Sequence, residues 1–288
     1  MIKTVRQLKD LINNRSDGDP LKAQLMFRNY FMERFLERVS VSEYSNMFIL
    51  KGGMLVASLV GLNMRATMDI DTTVTSMNLT AEQAENVIDS IIDIDLGDNI
   101  TFETDGSETI RDEFDYPGVR VYICAHFEGS EQRFKIDIST GDVITPAAIE
   151  YDYPLMFDEG TIPLLSYNVE TLLAEKLQTI MARAQANTRM RDFYDVYIIS
   201  KFEEIDYDDL REAFRKTCES RNTENMIPDI IEIYRAIAEN EAMEIQWDNY
   251  RRKQYYVGDL TWEDVMGVCI SLADGIDSDF TQGPILMM

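Results

Sequence analysis

The sequence predicts an α+β protein in which a mixed α/β half is followed by a helical half. Apolar and polar residues alternate along two neighbouring stretches, 118–129 and 133–142, and a third strand-like stretch lies at 69–75. After residue 165, apolar residues recur almost throughout at helical spacing. We therefore expect two domains, an α/β domain at 1–165 and a helical domain at 166–288.

Local patterns justify the elements of the first half. Asp19-Pro20 is a helix start signal, and Thr80 followed by Gln83 predicts a capping box. Residues 145–165 contain three prolines, so we expect loop and edge structure there. Helices are expected at 21–40, at 54–61 directly after Gly52-Gly53, and at 80–92.

The second half reads as successive helices, expected at 168–186, 189–201, 207–219, 224–240 and 261–273. The last residues, 278–288, lack periodicity and are interpreted as a tail.

The composition limits the classes of function. The net charge of −25 argues against a protein that coats nucleic acid, although residues 1–40 hold eight Lys or Arg against five acids. No apolar run reaches the length of a membrane span and no signal peptide opens the chain, so we expect a soluble, cytoplasmic protein.

Histidine and cysteine chemistry is also restricted. The three cysteines are far apart and are interpreted as reduced, structural thiols. His126 is the only histidine, which excludes zinc sites that need two histidines and disfavours Ser-His-Asp or Cys-His catalysis. Any chemistry must therefore use carboxylates, lysine and arginine, with or without a metal.

Three carboxylates are predicted to converge. Asp69 and Asp71 are two apart in a strand and so share one face. Asp137 has the same alternation in the stretch "RFKIDIS", and neighbouring strands would bring all three together. Such carboxylates repel one another unless a cation lies between them, and oxygen ligands suit Mg²⁺ or Mn²⁺. The alternative is acidic residues on the open face of a sheet.

Gly52 and Gly53 precede a helix, where free N–H groups favour phosphate and glycine permits close approach. Alone, the pair favours interpretation as a tight turn. Beside a metal-binding acid set, the pair indicates nucleotide chemistry.

The stretch "FILKGGMLVASLVGLNMRATMDID" resembles the first motif of the AbiEii/AbiGii family of nucleotidyltransferase toxins, within the DNA polymerase beta-like nucleotidyltransferase superfamily. Asp137 matches the family's third acid, and the resemblance spans roughly residues 21–200. It implies a small mixed β-sheet nucleotidyltransferase core with a C-terminal helical bundle. The matching positions of the first motif are Lys51, Gly52, Gly53, Gly61, Arg65, Thr67, Asp69 and Asp71.

Two later stretches also match the family. Lys176 borders an apolar helical stripe, where a lysine is costly unless it meets an anion; the alternative is a snorkelling side chain. It matches an essential family lysine. Asp192 and Asp195 are three apart, hence on one helix face, close to Arg189. They match the family's last motif, the alternative being a surface salt-bridge cluster.

The resemblance implies a metal-dependent nucleotidyltransferase that uses Mg²⁺ or Mn²⁺ and an NTP. Asp69, Asp71 and Asp137 would hold metal or orient the nucleophile. Catalysis would also involve Lys176, Asp192 and Asp195. The nucleotide-binding residues would be Lys51, Gly52, Gly53, Arg65, Thr67 and Arg189.

The resemblance also implies the toxin of a toxin–antitoxin or abortive-infection (phage-defence) pair. Such a toxin would have a cognate antitoxin, and RNA, including tRNA, would be its acceptor. Two alternatives stay open: a non-catalytic nucleotide-binding regulatory protein, and nucleotidyl transfer to a protein acceptor.

Overall fold

The computed structural model describes residues 2–75, 79–110 and 118–277, so the predicted tail at 278–288 lies outside the described residues. These residues fall into two compact units. The first unit comprises 2–75, 79–110, 118–142 and 148–167, and the second comprises 143–147 and 168–277.

The first unit contains a mixed sheet with helices. Its helices are α1 (Val5–Arg15), α2 (Pro20–Val41), α3 (Gly52–Val60) and α4 (Ala81–Ile92). Its strands are β1 (Phe48–Lys51), β2 (Asp69–Val74), β3 (Ile100–Ile110), β4 (Gly118–Phe127), β5 (Ser130–Thr140), β6 (Ile149–Pro154) and β7 (Thr161–Ser166).

The seven strands pair in the order β3-β4-β5-β2-β1-β7-β6. β2 runs parallel to β5 and β1 runs parallel to β7, while the remaining pairs are antiparallel. The predicted α+β class with a mixed sheet is therefore confirmed. The pairing of β2 with β5 matters most for the site, because it sets Asp71 directly opposite Asp137.

One face of the sheet forms the core under α2 and α4. Alternation along β4 and β5 buries Val121, Ile123 and Ile136 on this face. Aromatic rings join helix to sheet, since Phe35 of α2 contacts Phe134 edge to face. The opposite face of these strands is thereby left to polar side chains.

The prediction of loop and edge structure at 145–165 was wrong for β7, which lies inside the sheet between β1 and β6. Pro163 is tolerated because β7 pairs with β1 only further along, at Leu165 and Ser166. Strand β3, helix α1 and strand β1 were not predicted from the sequence.

The second unit is helical. It consists of α5 (Val169–Arg183), α6 (Met190–Phe202), α7 (Tyr207–Ser220), α8 (Ile230–Ala238), α9 (Glu241–Lys253) and α10 (Trp262–Asp277). The single helix expected at 224–240 is divided, because Pro228 sits in a 3₁₀ turn that precedes α8. Across residues 2–75, 79–110 and 118–277, every helix is too short or too polar to cross a bilayer.

A buried acid in α2 predicts a pH-dependent stability. Burial raises the pKa of Glu33 from 4.5 to about 7, against the opposing charge of Arg34. The folded state therefore binds this proton more tightly, and stability falls as pH rises from about 4.5 to about 7. Glu33→Gln keeps an acceptor for the Met156 N–H but cannot ionise.

Relative to wild type, Glu33→Gln should gain about 3 kcal/mol of unfolding free energy between pH 4.5 and pH 8. Denaturant unfolding of both proteins at the two pH values measures the difference. A difference that is the same at both pH values would contradict the assignment.

Candidate active site

Three acids meet on the polar face of the sheet. Asp69 and Asp71 point to this face from β2, and Asp137 points to it from β5, opposite Asp71. The ammonium of Lys135 lies 3.3 Å from Asp69 Oδ2 and 3.7 Å from Asp137 Oδ2. We call Asp69, Asp71 and Asp137 the acid cluster. The structure thus places the three carboxylates on one face of two paired strands, as strand alternation predicts.

Asp71 is the most enclosed member of the acid cluster. Its Oδ2 accepts a hydrogen bond of 3.0 Å from the backbone N–H of Gly53, at the start of α3. Burial raises the pKa of Asp71; the Gly53 N–H and Lys51 oppose the rise, while Asp137 and Asp69 add to it. A cation beside Asp71 would remove this electrostatic cost.

Gly52 makes room for the Asp71 carboxylate. Its φ of +61° lies in the left-handed region, and a Cβ built there would stand 2.2 Å from Asp71 Oδ2. The Gly-Gly pair therefore serves the close approach of a carboxylate in this structure. A role in binding phosphate stays a prediction.

Two cations that the sequence interpretation did not assign pair with Asp69 and Asp137 of the acid cluster. Arg120 on β4 donates two hydrogen bonds to Asp137, of 2.7 and 2.9 Å, which engage both carboxylate oxygens. Lys135 bridges Asp69 and Asp137. Alternation along β4 could have placed Arg120 on this face, but its pairing with Asp137 depends on strand register.

Lys51 is engaged within the first unit. Its ammonium forms an ion pair with Asp142 and lies 3.2 Å from the hydroxyl of Tyr167. Although burial opposes ionisation of Asp142, the charge of Lys51 and hydrogen bonds from Lys51, Tyr167 and Ser139 hold its pKa below the usual range. Lys51 is paired with Asp71 across β1 and β2, so this network lies beside the acid cluster.

Arg65 and Thr67 lie beneath the Gly-Gly turn. Both are buried, with 1% and 2% exposure, and a Cβ on Gly53 would stand 2.8 Å from Thr67 Oγ1 and 3.1 Å from Arg65 Nη2. Thr67 Oγ1 donates to the Asp69 carbonyl at 3.1 Å. In this structure the two side chains therefore support the turn, and their predicted contact with nucleotide stays a prediction.

The second unit contains its own charged group, formed by Lys176 of α5 with Asp192 and Asp195 of α6. Lys176 Nζ donates to Asp195 Oδ2 at 2.7 Å and to Asp192 Oδ1 at 3.3 Å. Lys176 is 9% exposed and the Asp195 side chain is fully buried, whereas 16% of the Asp192 side chain is exposed. We call these three residues the lysine cluster.

The lysine cluster shows that Asp192 and Asp195 share one helix face, as their spacing predicts. Among the described residues, no donor makes a hydrogen bond to Asp192 Oδ2. Arg189 lies at the start of α6 with an exposed side chain, and its backbone N–H donates to Asn187.

Gly52→Ala is expected to damage the acid cluster. The added Cβ would collide with Asp71 and strain a left-handed backbone, so activity should fall at least a hundredfold. Gly97→Ala is the matched control, because Gly97 has a φ of +63° but no atom within 4 Å of its Cβ position. It should lose only about 1 kcal/mol of stability and keep its activity.

Measurements of the activity that the family resemblance implies, and of denaturant unfolding, on both proteins test this prediction. Equal activities of the two variants would contradict the role of Gly52.

Comparison with known proteins places this geometry in a family. Residues 34–268 match the model of the nucleotidyl transferase AbiEii toxin family, described as a type IV toxin–antitoxin system. A search of curated proteins gave no match to this chain.

Two solved structures are similar to this chain at low sequence identity. The structure of JHP933 from Helicobacter pylori has 14% identity and a TM-score of 0.48, covering 90% of this chain and 94% of that one. An antigenic nucleotidyltransferase-like protein from Paracoccidioides brasiliensis has 13% identity and a TM-score of 0.39, covering 81% and 94%.

The family match covers most of the chain and includes both the acid cluster and the lysine cluster. It confirms the resemblance that the Lys-Gly-Gly and Asp-x-Asp motifs carry. The chain belongs to the AbiEii nucleotidyl transferase toxin family of type IV toxin–antitoxin systems.

Proposed function

We propose that this toxin transfers a nucleoside monophosphate from an NTP to a hydroxyl of RNA, with tRNA as the favoured RNA class, and that a cognate antitoxin counteracts it. The observation that carries the proposal is the acid cluster, in which Asp71 lies opposite Asp137 and beside the Gly52-Gly53 turn. The family supports nucleotidyl transfer by a toxin, and the acceptor and the metal are our additions.

The donor set of the acid cluster fits Mg²⁺ or Mn²⁺. All three residues offer carboxylate oxygens, which hard divalent cations prefer. The raised pKa of Asp71 shows that burial disfavours its ionised form. A cation bound beside Asp71 would stabilise that ionised form. Asp69 and Asp71 would hold the cation, which when bound would neutralise charge on the transferred phosphate.

Asp137 has a different role in this proposal. Arg120 donates one hydrogen bond to each of its oxygens, so its charge is already paired and only the second lone pair of each oxygen is left for a metal. While Asp137 remains paired with Arg120, it orients the side chains of Arg120 and Lys135 at the edge of the acid cluster. These two cations are then placed to contact phosphate oxygens of the substrates.

The reaction itself is an in-line displacement. The acceptor oxygen forms a bond to the α-phosphorus, the bond from that phosphorus to the bridging oxygen breaks, and pyrophosphate leaves. The hydroxyl proton passes to a carboxylate. On the family resemblance we assign this role to Asp192, which is partly exposed, and we assign Lys176 to a nucleotide phosphate. Asp195 is buried against Lys176 and orients its ammonium.

A labelling experiment tests the acceptor. The purified toxin is incubated with each α-labelled NTP, Mg²⁺, total RNA and total protein, and the fractions are separated. Label in RNA, abolished by ribonuclease, is expected. Label confined to protein would contradict RNA as acceptor while preserving the enzyme class. The absence of label in both fractions would support a non-catalytic nucleotide-binding protein.

A further inference from the structure

A second group of metal-ligating side chains lies on the polar face of the sheet, away from the acid cluster. Glu103 of β3 is directly opposite Cys124 of β4, and His126 is two residues further along the same face. One ligand atom from each of these residues lies within 4.8 Å of the others. The register of β3 and β4 thus brings a sulfur, a nitrogen and an oxygen ligand together.

The positions of the two ring nitrogens of His126 suggest that this group binds a metal. Its Nε2 lies 3.1 Å from Glu103 Oε1, yet within the described residues it forms no hydrogen bond. Its Nδ1 lies 3.7 Å from Glu131 Oε1 on β5. A carboxylate behind one ring nitrogen, with the other nitrogen directed at further ligands, is the usual arrangement of a metal-bound histidine.

We propose that Glu103, Cys124 and His126 bind one divalent transition metal of the zinc type, with the Glu131 carboxylate 3.7 Å from His126 Nδ1 on the other side of the ring. Thiolate, imidazole and carboxylate form a mixed set that suits Zn²⁺ and not Mg²⁺. Zinc ligand atoms in a tetrahedron lie roughly 3.3–3.7 Å apart, and the three atoms here lie within 4.8 Å of one another, so rotation of the exposed Glu103 side chain can bring them toward that spacing.

The surrounding charges are compatible with a cation. Glu131 and Asp105 lie nearby, and Arg133 is the neighbouring cation, with its Nε 3.5 Å from Asp105 and its side chain 72% exposed. Burial raises the pKa of the Cys124 thiol, with Arg133 opposing the rise. Arg133 also hydrogen-bonds the Cys124 sulfur, so a bound metal would displace both the thiol proton, which would pass to solvent, and the Arg133 guanidinium.

The proposed site is separate from the acid cluster. Cys124 is paired with Arg133 on β5, four residues from Asp137, a separation of about 13 Å along a strand. A metal here would join β3 to β4 at the outer edge of the sheet. The single histidine excludes two-histidine zinc sites, but this set needs only one.

Cobalt binding tests the proposal. The full-length protein is stripped of metal with a chelator and titrated with Co²⁺. One equivalent should give a thiolate-to-cobalt charge-transfer band and the visible bands of tetrahedral Co²⁺, and Zn²⁺ but not excess Mg²⁺ should displace it. Cys124→Ser should abolish the charge-transfer band, and His126→Gln should weaken binding at least tenfold.

Asp105→Asn is the matched control, because Asp105 is an exposed carboxylate on the same strand that contacts Arg133 and none of the three ligands. It should bind Co²⁺ like the wild type. The proposal is overturned if the wild type gives no thiolate band, if Cys124→Ser keeps the band, or if Mg²⁺ displaces the cobalt. Any of these results would leave His126 as a side chain that lies 3.1 Å from Glu103 and 3.7 Å from Glu131 without binding a metal.

Discussion

Replacing Asp69 and Asp71 together by asparagine should lower nucleotidyl transfer on the order of a thousandfold and relieve the toxicity of the expressed protein. Each asparagine keeps its size and one oxygen but loses the charge that binds a hard divalent cation. Loss of a catalytic metal removes several kcal/mol of stabilisation from the transferred phosphate, which corresponds to this factor.

The double variant should remain folded. The asparagine that replaces Asp71 can still accept the Gly53 N–H, and the ion pair of Asp69 with Lys135 is partly exposed, worth about 1 kcal/mol or less. Asp93→Asn with Asp95→Asn is the matched control, since it removes another Asp-x-Asp pair from an exposed position. A soluble, folded double variant that remains as toxic as wild type would show that the harm has another origin.

Replacing Lys176 by methionine should have the next largest effect, on both stability and activity. The change leaves the buried Asp195 carboxylate without its ammonium, which typically costs about 3–5 kcal/mol. Loss of a phosphate contact should lower transfer by a further hundredfold to thousandfold. The single variant therefore cannot separate folding from function.

Two further variants make the separation. Lys176→Met with Asp195→Leu removes both members of the buried pair, so stability should largely return while transfer stays low. Asp192→Asn changes the partly exposed acid and should fold normally with reduced transfer. Measurements of unfolding free energy and of nucleotidyl transfer on these proteins show whether the lysine cluster acts in catalysis or only in stability. Wild-type transfer by the stable double variant would show that the lysine cluster is structural only.

The sequence predicts the local elements of the fold well where one strong pattern dominates. The Thr80–Gln83 capping box is present, helix α3 opens at Gly52, and the hairpin of β4 and β5 follows its alternation. Strand β3 was not predicted, because its alternation of apolar and polar residues ends after Phe102. The remaining residues of β3 are mostly polar or acidic and lie at the edge of the sheet. Its position depends on pairing with β4, which local patterns do not determine.

The candidate site also has features that local sequence patterns predict and features that they do not. Alternation predicts that Asp69 and Asp71 share one face of β2 and that Asp137 lies on one face of β5, and the pairing of β2 with β5 makes these the same face of the sheet. The ion pairs of Arg120 and Lys51 required strand register and the packing of distant segments. Two further Asp-x-Asp pairs have local structural roles, since Asp19 and Asp206 cap helices α2 and α7.

The most direct test of the account compares α-labelled with γ-labelled NTP in otherwise identical reactions of the purified toxin with RNA and Mg²⁺. Nucleotidyl transfer predicts that the α-label becomes attached to RNA and that the γ-label appears only in released pyrophosphate. Both signals should vanish in the Asp69→Asn, Asp71→Asn variant. Transfer of the γ-label to an acceptor, or full α-label transfer by that variant, would contradict the account.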